Sequence, residues 1–213
     1  MLDNYLTVKG FGEREIVIEK SRFIAYANRA ESEAEAVQFI DKIKKMHWQA
    51  THNCSAYLIG ENHEHQKAND DGEPSGTAGK PMLEVLKKIG LHDTVVVVTR
   101  YFGGIKLGAG GLIRAYGQAT KEGVKAAGVI RRLLHRELHV TVDYTWLGKV
   151  QNEVQNRGLT ISNTQYLETV TLTLLIPTGE EDKEAQWLTN LTNGQAQLEW
   201  GDLVYVDQPV EIP

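Results

Sequence analysis

Two short patterns near the start of the chain predict a strand hairpin and then a helix. In the segment REIVIEKSRFIAYANRA, apolar residues alternate with polar ones around Ile16, Ile18 and Phe23, and the polar break at residues 19–22 suits a hairpin turn. After Ser32, a good N-cap with a glutamate three residues later, apolar residues recur at helical spacing. We therefore expect two antiparallel strands followed by an amphipathic helix.

The rest of the chain falls into two series of elements. Up to residue 132 the pattern predicts a strand at residues 55–59, a polar loop at 61–79, a helix at 81–89, a strand at 94–100 and a helix at 109–127. Beyond it the pattern predicts a strand at 135–143, a helix at 145–157, strands at 159–165 and 169–176, a helix at 180–191 and a strand at 195–206. The second series has the β-α-β-β-α-β order of the ferredoxin-like unit. The expected fold is α+β with two domains, residues 1–132 and 133–213, joined by a short linker near residues 128–134.

The composition predicts a globular protein. Of its 213 residues, 41% are hydrophobic and 24% are charged, as in ordinary folded domains. The longest aliphatic run, residues 95–98, is far shorter than the roughly 20 residues that a membrane-spanning helix needs. The N-terminal segment has neither a basic leader nor the apolar stretch of a secretory signal. We expect a cytoplasmic protein with no membrane partner.

Charge distinguishes the two halves of the chain. Lys and Arg outnumber Asp and Glu by 19 to 16 up to Arg132, whereas the acids lead by 12 to 4 beyond it. Only the first domain therefore favours an anionic partner, because the acidic second domain repels phosphates. The single cysteine, Cys54, lies in a strand-like segment and is expected to be a small buried hydrophobe.

A glycine-rich turn, in RYFGGIKLGAGG, follows the most strand-like run of the chain. Glycines let the backbone adopt positive φ and let a ligand reach bare N–H groups at the start of a helix, where partial positive charge favours phosphate or carboxylate. Alternatively, the glycines only let the helix pack closely on the sheet. The turn lacks the Lys-Ser/Thr ending of a Walker loop. The candidate site for an anion or nucleic acid comprises Arg100, Tyr101, Phe102, Gly103, Gly104, Lys106, Gly108, Gly110, Gly111, Arg114 and Lys80.

A second unusual segment, DDGEPSGTAG, is predicted to form an ordered wall of the same cleft. Its glycines permit tight turns, Pro74 stiffens one of them, and Ser75 and Thr77 can bond local backbone or a bound anion. Arg100 is expected to hold this segment against the glycine-rich turn. The alternative for Arg100 is an internal network that only neutralises the three carboxylates. The motif residues are Asp70, Asp71, Gly72, Glu73, Pro74, Ser75, Gly76, Thr77 and Gly79.

The residues do not favour catalytic or metal chemistry. His63 and His65, with Asp70 and Asp71, are of metal-ligating types, but an H-x-H in a polar loop is usually solvated and no ligand spacing supports a metal. No arrangement that would activate Ser75 as a nucleophile can be specified. We therefore predict no catalytic residue, no metal and no cofactor.

Read together, DDGEPSGTAGKPML and VVVTRYFGGIKLGAGGLIRAYG closely resemble the two signatures of the IMPACT family. The resemblance covers residues 14–132, and the second half is similar to the small C-terminal domain of bacterial members. It implies a ribosomal-protein-like N-terminal fold similar to domain IV of elongation factor G, and a ferredoxin-like domain similar to domain V of that factor. Eukaryotic members are similar to a translational regulator that uses an additional N-terminal domain, for which this sequence has no room.

The resemblance implies a non-enzymatic binding protein that contacts RNA or the translation machinery through its first domain, an inference that rests on fold analogy. Tyr101 and Phe102, beside Arg100, are aromatic side chains that can stack on unpaired bases. The alternative is an enzyme or binder acting on a phosphorylated small molecule or nucleotide, because KLGAGGLIRA is distantly similar to the phosphate loop of the GHMP kinases. The serines of that loop are replaced here by Ala109, Gly110 and Gly111, which argues against this alternative.

Overall fold

The computed structural model describes residues 1–212 and separates into two compact units. The first unit contains Met1–Arg132 together with residues 208–212, and the second contains Leu133–Asp207. Among the described residues, no helix is both long and apolar enough to span a membrane.

The first unit contains a five-stranded antiparallel sheet with helices on both faces, and one further strand that is not part of this sheet. Its elements in chain order are β1 (Asn4–Val8), β2 (Gly12–Ile18), β3 (Ser21–Arg29), α1 (Glu33–Met46), β4 (His52–Ile59), β5 (His65–Asn69), α2 (Gly79–Ile89), β6 (Thr94–Tyr101) and α3 (Gly108–Ala127). The sheet order is β2-β3-β6-β4-β5, so the valine-rich β6 lies at its centre. The core therefore has two layers, one on each face of β6.

The two layers follow from the side-chain alternation of a strand, which sends successive residues to opposite faces. Val96 and Val98 of β6 pack in the layer beneath α2 and α3. Val95 and Val97 pack in the opposite layer, beneath α1. Because both faces are covered, β6 is a continuous apolar run rather than an alternating one.

Local signals in the sequence produce the predicted hairpin and first helix. Ile18 of β2 pairs with Ser21 of β3, and the two residues between them, Glu19 and Lys20, both have positive φ, at 47° and 61°. Two-residue hairpin turns of type I′ have this conformation. Ser32 caps α1, because its hydroxyl accepts a hydrogen bond from the Glu35 N–H at 3.2 Å. Both elements confirm the sequence-based prediction.

The second unit has the predicted ferredoxin-like order. Its elements are β7 (Val129–Val142), α4 (Tyr144–Asn156), β8 (Thr160–Tyr166), β9 (Val170–Pro177), α5 (Glu181–Leu191) and β10 (Gln197–Val210). The first residues of β7 and the last residues of β10 fall within the residue ranges of the first unit. Strand β9 lies antiparallel between β8 and β7, and β10 also pairs with β7. One face of β7 and β9 packs its aliphatic side chains against Val150 and Val154 of α4 and Leu188 of α5. The α+β class and the β-α-β-β-α-β order are therefore confirmed.

Three elements differ from the sequence-based predictions. The polar loop predicted at residues 61–79 contains β5, and all but the first residue of the linker predicted at 128–134 belong to β7. Strand β1 was not predicted at all. The segment HQKAN of β5 is exposed throughout, because β5 is an edge strand held by backbone pairing to β4. It therefore lacks the apolar alternation from which strands are predicted.

Candidate functional site

Both unusual segments lie at one end of the first unit's sheet. This end is formed where β3 and β4 begin and β6 finishes, since Arg100 of β6 pairs with Phe23 of β3 and His52 of β4. We call residues 70–79, which connect β5 to α2, the acidic loop. We call residues 102–111, which connect β6 to α3 and include its first turn, the glycine turn. The strand topology thus brings together two motifs that are about 30 residues apart in the chain.

Asp70 organises the acidic loop from within. Its carboxylate accepts hydrogen bonds from the N–H groups of Gly76, Ala78 and Gly79, at 2.8, 3.1 and 2.8 Å. Burial by itself would raise the pKa of Asp70, but these three amides outweigh burial and hold the pKa below its ordinary value. Two of the three donors lie at the start of α2, so Asp70 also caps that helix.

Asp71 fastens the acidic loop to the neighbouring elements. One carboxylate oxygen accepts a hydrogen bond from Nζ of Lys44 on α1 at 2.7 Å, and the other accepts one from the backbone N–H of Asn53 on β4 at 2.7 Å. The backbone carbonyl of Asp71 lies 2.8 Å from Nδ1 of His52. Asp71 has a φ of 45°, and the adjacent Gly72 has a φ of 89°. This left-handed turn directs both the side chain and the carbonyl of Asp71 into the protein.

Glu73 is the buried acid of the loop and forms the centre of a polar network. Its Oε1 accepts hydrogen bonds from Nη1 of Arg100 at 2.6 Å and from the hydroxyl of Tyr116 on α3 at 2.7 Å. Nε2 of His52 lies 3.7 Å from the other carboxylate oxygen. Glu73 is 7% exposed, Arg100 5% and Tyr116 0%, so the network is shielded from water. Electrostatic interactions within it are correspondingly strong.

Ser21 links the network to the glycine turn. Its hydroxyl accepts a hydrogen bond from the N–H of Gly103 at 3.2 Å and lies 3.4 Å from Nη2 of Arg100. A Cβ atom at Gly103 would overlap the backbone carbonyl of Lys20, so the close approach of the turn to the hairpin requires glycine. Arg100 therefore holds the acidic loop through Glu73 and reaches the turn through Ser21, as the sequence-based interpretation expected.

Two aromatic residues follow Arg100 and have different surroundings. The Tyr101 hydroxyl lies 2.8 Å from Nδ1 of His47, and the Arg22 guanidinium carbon lies 5.4 Å from the Tyr101 ring centroid. The Phe102 backbone N–H donates to Oγ1 of Thr51 at 3.0 Å, while its ring is 47% exposed. Tyr101 is therefore engaged within the protein, whereas Phe102 faces solvent.

The remaining predicted residues lie at the surface around this end of the sheet. Lys106, Gly108, Gly110 and Arg114 are exposed, and helix α3 begins after Leu107 without a side-chain cap. Gly104 and Gly108 have φ of 86° and 69°, a region that glycine adopts without strain. In the acidic loop, Thr77 is buried and donates to the Pro74 carbonyl at 2.6 Å. Exposed positions of the loop and of the first turn of α2 are Gly72, Pro74, Ser75 and Lys80.

Burial also determines the chemistry of two groups beside the network. Desolvation raises the pKa of the Cys54 thiol to about 12, so the thiol stays protonated and donates to the Asp70 carbonyl at 3.0 Å. Burial, the neighbouring Cys54 and the Glu73 carboxylate all raise the pKa of Tyr116. Neither group is therefore poised as a nucleophile at neutral pH. The expectation that Cys54 is a buried hydrophobe agrees with its full burial.

Sequence reasoning missed several residues that build this end of the sheet. They are separated from their partners by long stretches of chain: Tyr116 lies 43 residues from Glu73, and Ser21 lies 79 residues from Arg100. Ser21 lies outside both motifs, and although Tyr116 lies near the end of the second motif, no local pattern predicts its contact with Glu73. The missed residues are Ser21, Lys44, His47, Thr51, His52, Asn53 and Tyr116.

Comparison with known proteins gives two domain matches and several full-length relatives. Residues 19–124 match the Impact N-terminal domain, and residues 140–195 match a domain of unknown function (DUF1949). The chain is 57% identical over 210 residues to the IMPACT family member YvyE of Bacillus subtilis, covering 99% of this chain and 97% of that protein. It is 32% identical over 183 residues to the IMPACT family member YigZ of Escherichia coli, covering 85% and 90%. A crystal structure of a hypothetical protein is similar at 30% identity and a TM-score of 0.60, covering 93% of this chain and 97% of that one.

Proposed function

The chain belongs to the IMPACT family, and we propose that it is a non-enzymatic protein that binds RNA of the translation machinery through its first unit. The observation that carries this proposal is the pairing of every carboxylate in the acidic loop. Asp70 is bound by backbone amides, Asp71 by Lys44 and an amide, and Glu73 by Arg100. Cations therefore compensate two of the three carboxylates, which reduces the repulsion of a phosphate by the acidic loop.

The surface beside the paired carboxylates carries groups that suit a phosphate backbone. Lys106 and Arg114 are exposed on either side of the first turn of α3, which has no side-chain cap. The guanidinium Nη1 of Arg114 lies 3.7 Å from the position that a Cβ atom would take at Gly110, so this cation covers the same turn. Cations and helix N-terminal amides together favour anions. Because the glycines have no side chains, a phosphate can approach the backbone closely.

Salt dependence of RNA binding tests this proposal directly. Full-length protein is titrated with tRNA and with ribosomal RNA fragments at several salt concentrations. Lys106→Ala should weaken binding and reduce the slope of log affinity against log salt by about one, because one phosphate contact is lost. Lys88→Ala is the matched control, since Lys88 is also exposed but lies in the last turn of α2, at the opposite end of that helix from the acidic loop. If wild-type protein binds none of these RNAs at low salt, the proposal is wrong.

The competing function, binding of a phosphorylated small molecule, has its own measurement. Thermal shift of the protein across nucleotides with Mg²⁺ would reveal a ligand as an increase in melting temperature. We expect no such increase, because Ala109, Gly110 and Gly111 replace the serines of the phosphate loop to which this turn is distantly similar. Stabilisation by a free nucleotide, in a protein that does not bind RNA, would favour the small-molecule function instead.

The proposal assigns no nucleic-acid contact to the second unit. Acidic residues exceed basic ones by 12 to 4 beyond Arg132, so phosphates are repelled there. A fragment beginning at residue 134 is therefore expected to remain in the unbound fraction during RNA binding. If this fragment retained RNA as well as the full chain does, the assignment of RNA binding to the first unit would be wrong.

A further inference from the structure

Phe102 is an exposed ring that lies against a buried cation. The guanidinium carbon of Arg100 lies 5.4 Å from the Phe102 ring centroid, and the same carbon lies 5.4 Å from the centroid of Phe23. Arg100 is 5% exposed, whereas Phe102 is 47% exposed. Both distances are within the range of cation–π attraction. Since the guanidinium occupies the inner side of the Phe102 ring, the exposed area belongs to its outer side.

The ring is held in place from two directions. Arg100 is fixed by its 2.6 Å ion pair with Glu73, and the Phe102 backbone is fixed by the 3.0 Å hydrogen bond to Thr51. The backbone at Phe102 and the cation beneath its ring therefore lose little conformational freedom when a ligand binds, which reduces the entropic cost of binding. An isolated exposed apolar residue is ordinary. A ring that lies against a buried guanidinium, itself hydrogen-bonded to Glu73 and Ser21, is instead a preorganised surface.

Tyr101 does not share this arrangement, although it is adjacent in sequence. The hydroxyl of Tyr101 bonds to His47, whose other ring nitrogen lies 2.6 Å from the hydroxyl of Tyr26. The Arg22 guanidinium lies over the Tyr101 ring. The sequence-based interpretation treated Tyr101 and Phe102 as equivalent stacking residues, but in the structure Tyr101 is partly buried against an apolar cluster, whereas Phe102 is exposed.

We propose that Phe102 stacks on an unpaired base of the bound RNA, so that this site selects single-stranded over duplex RNA. This inference rests on the proposed RNA-binding function and adds the form of RNA that is recognised. Lys106 lies four residues after Phe102, on the glycine turn, where it suits the phosphate attached to the stacked nucleotide. Bases within a duplex are already stacked on one another and present no free face to an aromatic side chain.

The test uses full-length protein and a single-stranded RNA oligonucleotide carrying one 2-aminopurine, whose fluorescence is quenched when it stacks. The same sequence in a duplex serves as the competitor. We expect tighter binding of the single strand, quenching on binding, and a loss of about 5- to 100-fold in affinity for Phe102→Leu, which is the range of base–aromatic stacking. Phe102→Tyr should retain quenching and bind within about twofold of wild type, because the ring is conserved.

A matched control separates stacking from general loss of apolar surface. Phe11 is 58% exposed and lies just before β2, at the end of the β2–β3 hairpin remote from its turn, so Phe11→Leu should leave RNA affinity unchanged. If Phe102→Leu binds the single strand like wild type while Lys106→Ala still weakens binding, RNA binding stands and the stacking inference is overturned. Equal affinity for single strand and duplex would overturn it as well. Failure of wild-type protein to bind any RNA would instead refute the proposed function on which it rests.

Discussion

The buried ion pair between Arg100 and Glu73 yields a quantitative prediction for the first unit. Replacing Arg100 with Met removes the cation and leaves the buried Glu73 carboxylate with one hydrogen bond from Tyr116 and with Nε2 of His52 at 3.7 Å. Breaking a buried pair by removing one partner costs about 3–5 kcal/mol. We therefore expect Arg100→Met to lower the free energy of unfolding of this unit by that amount, a large part of the roughly 5–15 kcal/mol typical of a domain.

The double variant makes this prediction specific to the pair. Glu73→Met alone should cost a similar amount, since the Arg100 cation is then buried without a counter-charge. With both residues replaced, no buried charge remains and only the Tyr116 hydroxyl lacks its partner, at a cost of about 1–3 kcal/mol. The sum of the two single losses in unfolding free energy should therefore exceed the loss in the double variant by about 2 kcal/mol or more.

Hydrogen exchange measures these effects in the first unit separately from the second. Amides of β3 and β6 report the global opening of the first unit, and those of β7 and β9 provide the internal reference in the second unit. In Arg100→Met, the amides bonded to Asp70 should retain more protection than the backbone amides of the network residues, because Asp70 binds them without the help of Arg100. Additive single effects, or a loss below about 1 kcal/mol for either single variant, would refute the reasoning that the pair is a desolvated unit.

Three further predictions follow from contacts in the first unit. Asp70→Ala should expose the amides of Gly76, Ala78 and Gly79 to exchange. Because the folded pKa of Asp70 is lowered, its contribution to stability is present above its ordinary pKa and lost as the pH falls through the folded value. The rings of His63 and His92 lie 4.4 Å apart, and burial, together with the smaller effect of His92, lowers the pKa of His63. The free energy of unfolding should therefore fall as the pH drops below about 6.5, and urea titrations should show a weaker pH dependence for His63→Gln. Gly103→Ala should lower the melting temperature sharply, because the added Cβ overlaps the backbone of Lys20. Gly148→Ala in α4, where the added Cβ meets nothing within 4 Å, should instead stabilise the helix by up to about 1 kcal/mol, and equal effects of the two substitutions would contradict this account.

Elements with a strong local signal could be predicted from the sequence alone. The β2–β3 hairpin combines alternating side chains with a polar turn, and α1 has both helical spacing and an N-cap at Ser32. The ferredoxin-like order of the second unit follows from patterns whose period and boundaries are local. The two motifs also identified the family, because their unusual composition extends over many consecutive residues.

Elements that depend on a distant partner could not be predicted in this way. The edge strand β5 is polar on both faces, so only its backbone pairing with β4 makes it a strand. Strand β7 begins at Val129, inside the segment predicted as a linker, although the sequence pattern indicates a strand only from residue 135. Hydrogen bonds between strands depend on which strands lie side by side, and the sequence of a single segment does not show its neighbours.

The candidate site shows the same division between local and tertiary information. The sequence by itself determined that three carboxylates, a run of glycines and Arg100 would occupy two loops, and that Arg100 would follow a buried strand. Only the tertiary structure decided that Arg100 pairs with Glu73, while Asp70 binds amides and Asp71 binds Lys44. It also decided that Phe102 is exposed and Tyr101 is partly buried, although the two are adjacent in sequence. The reason is physical: which charge is buried and which ring face is free depends on how strands β3, β4 and β6 and helix α3 meet at one end of the sheet.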